Sequence, residues 1–114
     1  MSFVRPPVKP SVVSAEATVR TKLGSSVEDL AIWIGQPYRS GERWICEEHV
    51  QGFSQRKVPG DSSLESLAYA LTVARIDLEG LITLGYSLSL LSDPSNKADY
   101  EVLKKLFGII PFLK

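Results

Sequence analysis

The sequence predicts an α+β domain: a four-stranded antiparallel meander packed by one long α-helix, with a short C-terminal helix after it. Three observations lead there. Residues 11–58 alternate apolar and polar in short runs separated by glycine-containing turns. The segment Gly60-Asp61-Ser62-Ser63-Leu64-Glu65 stops an extended run and opens a helix. From Leu64 onward, apolar residues recur at three-four spacing.

The chain divides into a proline-rich arm over 1–10, an α+β domain over 11–96, and a C-terminal helix with an apolar tail over 97–114. Three prolines in the arm each fix φ and remove a backbone donor, so an extended arm is expected there. Residues 11–23 form the first strand, with Val13, Ala15, Ala17 and Val19 on one side. A turn at Gly24-Ser25-Ser26 leads to a second strand over 27–38, where Leu30, Ile32 and Ile34 share a face. Gly35 and Pro37 mark a bulge or an edge in it. Residues 39–42 connect to a third strand over 43–51, which places Trp44, Cys46, Glu48 and Val50 on one face and Ile45, Glu47, His49 and Gln51 on the other. Gly52 turns the chain into a fourth strand over 53–58.

The helix is expected over about 62–84, N-capped by Asp61 or Ser62, with Ser62 and Glu65 at capping-box spacing. Its main stripe reads Leu64, Leu67, Ala68, Leu71, Ala74, Leu78, Leu81 and Ile82. A second apolar set, Tyr69, Val73 and Ile76, lies off that stripe. Residues 87–96 read as a loop around Asp93-Pro94-Ser95, and 97–107 as a second helix. The end of the chain, Gly108-Ile109-Ile110-Pro111-Phe112-Leu113-Lys114, is strongly apolar.

The 114 residues suit one domain with a modest core. A hydrophobic share of 44% against 23% charged places the chain among folded globular proteins. Its formal net charge of zero argues against a general pull toward nucleic acid or anionic membrane. With Cys46 as the single cysteine, no intrachain disulfide can form. No signal-peptide pattern and no spanning-length apolar run is present, so a cytoplasmic location is expected.

Chemistry-bearing residues are sparse. His49 is the only histidine, and its odd separation from Cys46 puts the two on opposite strand faces, which disfavours a nucleophilic dyad. Cys46 reads as a small core residue with Glu48 as its neighbour, a poor setting for a reactive thiol. One histidine and one cysteine on opposed faces do not make a zinc site, and no glycine-containing acidic loop suits calcium. Arg39, Arg43, Arg56 and Lys57, with Trp33, Tyr38 and Phe53, form a basic and aromatic region diluted by Glu28, Asp29, Glu42, Glu47 and Glu48. Neither catalytic residues nor cofactor or metal ligands are assigned, and a non-enzyme is the favoured reading.

The runs Ile34-Gly35-Gln36-Pro37, Trp44-Ile45-Cys46, Val50-Gln51-Gly52 and Gly60-Asp61-Ser62-Ser63-Leu64-Glu65-Ser66-Leu67 resemble a family of short bacterial proteins known only as a domain of unknown function. Its pattern runs I-G-x-P, W-x-C, a strand ending in Gly, then G-x-D-S-L-Q-A-L. The likeness covers residues 12–84 and departs at the helix start, where Gly60 and Asp61 are adjacent and Glu65-Ser66 replaces Gln-Ala. What the resemblance implies is a meander-plus-helix fold in a bacterial cytoplasmic protein, with no site residue carried over.

The function expected from these readings is a protein–protein interaction or accessory, immunity-type domain that binds a protein partner or itself. Candidate interface residues are Tyr69, Val73, Ile76, Leu106, Phe107, Ile109, Ile110 and Phe112. The alternative is a small-ligand or anion binding module that uses the helix N-terminus with Arg39 or Arg43.

Overall fold

Alternating side chains and tight glycine turns pair the first half of the chain into hairpins. The computed structural model describes residues 12–90 and 93–107. Strand β1 (Val13–Leu23) pairs antiparallel with β2 (Ser26–Gly35) through a two-residue turn between Leu23 and Ser26. Gly24 takes φ 61° there, a left-handed conformation that glycine adopts without strain. The Gly35-Gln36-Pro37 break ends β2, and the chain resumes as β3 (Tyr38–Ser40). Both β2 and β3 pair with the same edge of β4 (Arg43–Val50), β3 with its first half and β2 with its second. A register shift in β1 between Val13 and Ala15 lies opposite that break. The other edge of β4 pairs along its length with β5 (Ser54–Gly60), from Trp44 opposite Gly60 to Val50 opposite Ser54.

Helix α1 (Ser63–Thr83) then crosses the sheet. Ser62 is its N-cap: the Ser62 hydroxyl accepts from the Glu65 backbone N–H at 3.0 Å. Glu65 returns a carboxylate to the N–H of Asp61 at 3.1 Å, one residue ahead of the cap. The helix packs mainly on β4 and β5 and reaches β2 and β6 more lightly.

The sheet continues beyond the four expected strands. Residues read as a loop include β6 (Ser87–Leu90) and most of β7 (Asp93–Lys97), so seven strands pair in the order β3-β4-β2-β1-β6-β7, with β5 on the far edge of β4. Leu88 and Leu90 alternate with Ser87 and Ser89, and Leu88 is buried in the core. Pro94 lies in β7, an outer row that pairs only with β6 among the described strands, where a missing N–H is tolerated. Since each step from β5 through β4, β2 and β1 to β6 is antiparallel, β5 and β6 run the same way and α1 is the crossover between them.

Helix α2 (Tyr100–Phe107) begins three residues later than expected because Lys97 ends β7. Asp99 caps it, accepting from the Val102 N–H at 3.0 Å. Leu103 and Phe107 join the core cluster with Val19, Ile32, Ile34, Cys46, Val50, Ala70, Ala74 and Leu78.

The face α1 turns to the sheet shares Ala74, Leu78 and Leu81 with the expected stripe but departs from it in the first turns of the helix. Its buried residues are Ser66, Ala70, Thr72, Ala74, Asp77, Leu78 and Leu81, while Leu64 is 74% exposed. Small side chains at 66, 70 and 74 let the helix lie close to β4 and β5, with Leu67 and Leu71 part-buried on its flank. The buried hydroxyls of Ser66 and Thr72 are satisfied inside the helix by the carbonyls of Ser63 and Ala68, each at 3.0 Å.

Candidate functional site

Two features gather residues in a way that bears on function: an apolar cleft beside α2, and a polar cluster buried beneath α1. The cleft begins with β1 and β2. Register places Ala15 opposite Ile34 and Ala17 opposite Ile32, so four side chains form one patch on the sheet face that carries the helices. Alanine at 15 and 17 leaves space where larger residues would fill the layer. Leu71 of α1 and Leu106 and Phe107 of α2 line the rest, with Glu16 also at the lining, and enclose about 110 Å³. This is well below the roughly 300–1,000 Å³ of typical small-molecule pockets. It suits one aliphatic or aromatic side chain. The cleft also lies along a distinctive stretch of β1. On that edge β1 pairs with β6 only from Val19 to Lys22, and no described strand flanks residues 13–18.

Of the candidate interface residues, the cleft brings together Leu106, which is 48% exposed, and Phe107, which is nearly buried. Tyr69 and Val73 pack part-buried against the core, and burial followed by the nearby Glu65 carboxylate raises the Tyr69 phenol above its ordinary pKa. Ile76 stands 52% exposed and does not line the cleft. Ile109, Ile110 and Phe112 lie outside the described residues. Ala15, Ala17, Ile32, Ile34 and Leu71 were not singled out as site residues from sequence, although the alternation of β1 had already put Ala15 and Ala17 on one face.

The polar cluster forms where β4, β5 and α1 meet. Glu48 points to the helix side with Cys46 and Val50, as alternation predicts, and is fully buried. Ser54 Oγ lies 3.2 Å from Glu48 Oε2 and 2.8 Å from Oδ2 of buried Asp77. Arg56, opposite Glu48 in register, places a guanidinium nitrogen 3.2 Å from Asp77 Oδ1. Burial first, then the bond to Asp77 and its charge, push the Glu48 carboxyl up to about 7.

The remaining polar residues are engaged separately. Cys46 donates its thiol to the Gly35 carbonyl at 3.2 Å, and burial, with Glu47 adding, pushes the thiol up to about 11, so it is a core residue and a poor nucleophile. Alternation puts His49 on the strand face opposite Cys46. It is on that face but 1% exposed, edge-on to Trp33 and 3.3 Å from a Glu47 oxygen. Its Nδ1 finds no hydrogen-bond partner among the described residues. At the start of α1, Arg43 lies 3.7 Å from Asp61, and Arg39 stacks over Trp44 at 5.7 Å. The N-terminus of the helix already has Glu65 in its first turn and Asp61 just ahead of the cap. No three or more His, Cys, Asp or Glu side chains converge as metal ligands among the described residues. No helix among them is long and apolar enough to cross a membrane.

The chain matches no protein-family model, no curated protein and no solved structure.

Proposed function

We propose that this protein is a non-enzymatic interaction domain that receives an apolar side chain of a protein partner, or of a second copy, in the cleft between β1, β2, α1 and α2. The observation that carries the reading is the juxtaposition of half-exposed Leu106 with a pocket floored by Ala15 and Ala17. An apolar recess with an exposed apolar rim is what a buried anchor residue needs, and its size suits a side chain better than a metabolite. The buried, unreactive state of Cys46 supports the same reading, because it removes the one thiol from consideration as a nucleophile. The reading keeps the chain with the short bacterial proteins its central motifs resemble, as a cytoplasmic accessory or immunity-type factor.

Two variants of the full chain test it. Leu106→Lys places a charge on the rim, and Ala17→Phe fills the recess from the sheet. Association is read as solution mass by light scattering, and as capture of a partner from extracts of the producing cell by the immobilised chain. Both variants are expected to lose, by tenfold or more, whichever association the wild type shows, while keeping its circular dichroism spectrum. Association that survives both substitutions places the contact elsewhere and overturns the reading.

A further inference from the structure

We propose that Glu48, Ser54 and Asp77 form a proton-dependent latch: it holds α1 on the β4–β5 hairpin while the cluster carries one proton, and lets this part of the helix loosen when that proton is lost. The inference stands apart from the interaction reading and rests on counting hydrogens.

Ser54 Oγ contacts Glu48 at 3.2 Å and Asp77 at 2.8 Å. A hydroxyl has one hydrogen, so it can donate to only one of two carboxylates. The shorter contact and the guanidinium of Arg56 at 3.2 Å both favour charge on Asp77. Ser54 then donates to Asp77, and its oxygen is left free to accept. A protonated Glu48 supplies the missing hydrogen, to Ser54 or to Asp77 itself. The closed arrangement is therefore a neutral Glu48 facing Ser54 and Asp77, with the negative charge on Asp77 paired to Arg56.

Three elements meet at this point, and each contributes. Glu48 comes from β4, Ser54 and Arg56 from β5, and Asp77 from α1. The neighbours of Glu48 on its own strand face are Cys46 and Val50, and Ile34 lies opposite it in β2, so Arg56 and Asp77 are the charged groups that act on it. Arg56 is half-exposed and already engaged with Asp77. Removing the proton from Glu48 leaves two buried carboxylates around one hydroxyl, with a single, partly solvated cation. Water can relieve that repulsion once the seam between hairpin and helix opens.

The direction of the pH dependence follows. Glu48 titrates near 7 when closed, against an ordinary 4.5 when exposed. Between those values the closed form holds a proton that the open form has released. The latch is therefore strongest near pH 4.5 and weakens as pH rises toward about 7, by up to about tenfold in the opening equilibrium per pH unit. Above that range both forms are ionised and the dependence ends.

Amide hydrogen exchange on the full chain, corrected for the intrinsic effect of pH, tests the latch. In the wild type, protection of the Arg56, Val58, Asp77 and Leu78 amides should fall by at least tenfold from pH 5.5 to pH 7.5 relative to amides of the β1–β2 pair. In Glu48→Gln, whose amide donates at every pH, that change should vanish. Equal protection at both pH values, or the same loss in the variant, overturns the proposal. Should the variant fail to fold, carboxyl-carbon NMR on the wild type decides. A Glu48 carboxyl that titrates near neutrality, together with the pH-dependent exchange, upholds the latch. A Glu48 carboxyl that ionises in the ordinary acid range overturns it.

Discussion

Gly60 has no room for a side chain, although its backbone conformation would accept one. A Cβ built there would lie 2.5 Å from the Ser66 nitrogen and 2.9 Å from its Cα, so the obstruction is the backbone of α1 itself. Gly60→Ala must push the helix off the end of β5, and is expected to destabilise the protein by about 1–3 kcal/mol in urea denaturation. An unchanged midpoint would show that the seam is looser than described. In the sequence, Gly60 is visible only as the glycine ahead of a helix cap. The close approach depends on Ser66 being small and facing inward, and a leucine-weighted reading of the helix misses that. Glu48 was placed correctly on the helix-side face by alternation, since that is a property of the strand alone. Its partnership with Asp77 was not legible, because it joins a strand to a helix residue far along the chain through Ser54 in a third element.

At the level of elements, local signals were read well and tertiary ones poorly. The start of α1 is set by Ser62 and Glu65 within a single turn, and the helix begins where their spacing predicts. Which face it buries depends on what it meets. Leu64 continues the three-four spacing but is 74% exposed, whereas Ala70 and Ala74 are fully buried. Leu64→Gln is therefore expected to change stability by no more than about 0.5 kcal/mol. Ala70→Leu, which overfills the seam, is expected to destabilise by about 1–3 kcal/mol. Denaturation midpoints in the opposite order would show that Leu64 packs and that the seam at Ala70 has room to spare. Strands β6 and β7 escaped the sequence reading for a related reason. Each is short, and Asp93-Pro94 resembles the punctuation of a loop, yet β7 is the outer row among the described strands, and such a row accommodates proline. The Gly35-Gln36-Pro37 break was read as a bulge or edge. It is the junction at which one row of the sheet passes from β2 to β3.

Across the whole molecule, α1 carries the chain from β5 at one side of the sheet to β6 beyond β1, and β6, β7 and α2 complete a layer that the first half leaves unfinished. The completion is partial. β6 flanks β1 only as far as Val19, and the cleft lies along the remainder, between Ala15 and Ala17 on the sheet and Leu106 and Phe107 on α2. That the end of the chain, over 97–114, is rich in apolar residues was legible in the sequence. The recess itself was not, since it depends on small residues near the start of the chain meeting large ones near its end. Site-specific photo-crosslinking in the producing cell tests the interaction claim most directly. A benzophenone side chain is placed at position 106, on the cleft rim, and in a second protein at position 64, a more exposed leucine position away from the cleft. Irradiation is predicted to give a discrete covalent adduct from position 106, to a second copy or to another protein, and none from position 64. No adduct from position 106, or the same adducts from both positions, would contradict the assignment of the cleft as the interaction site.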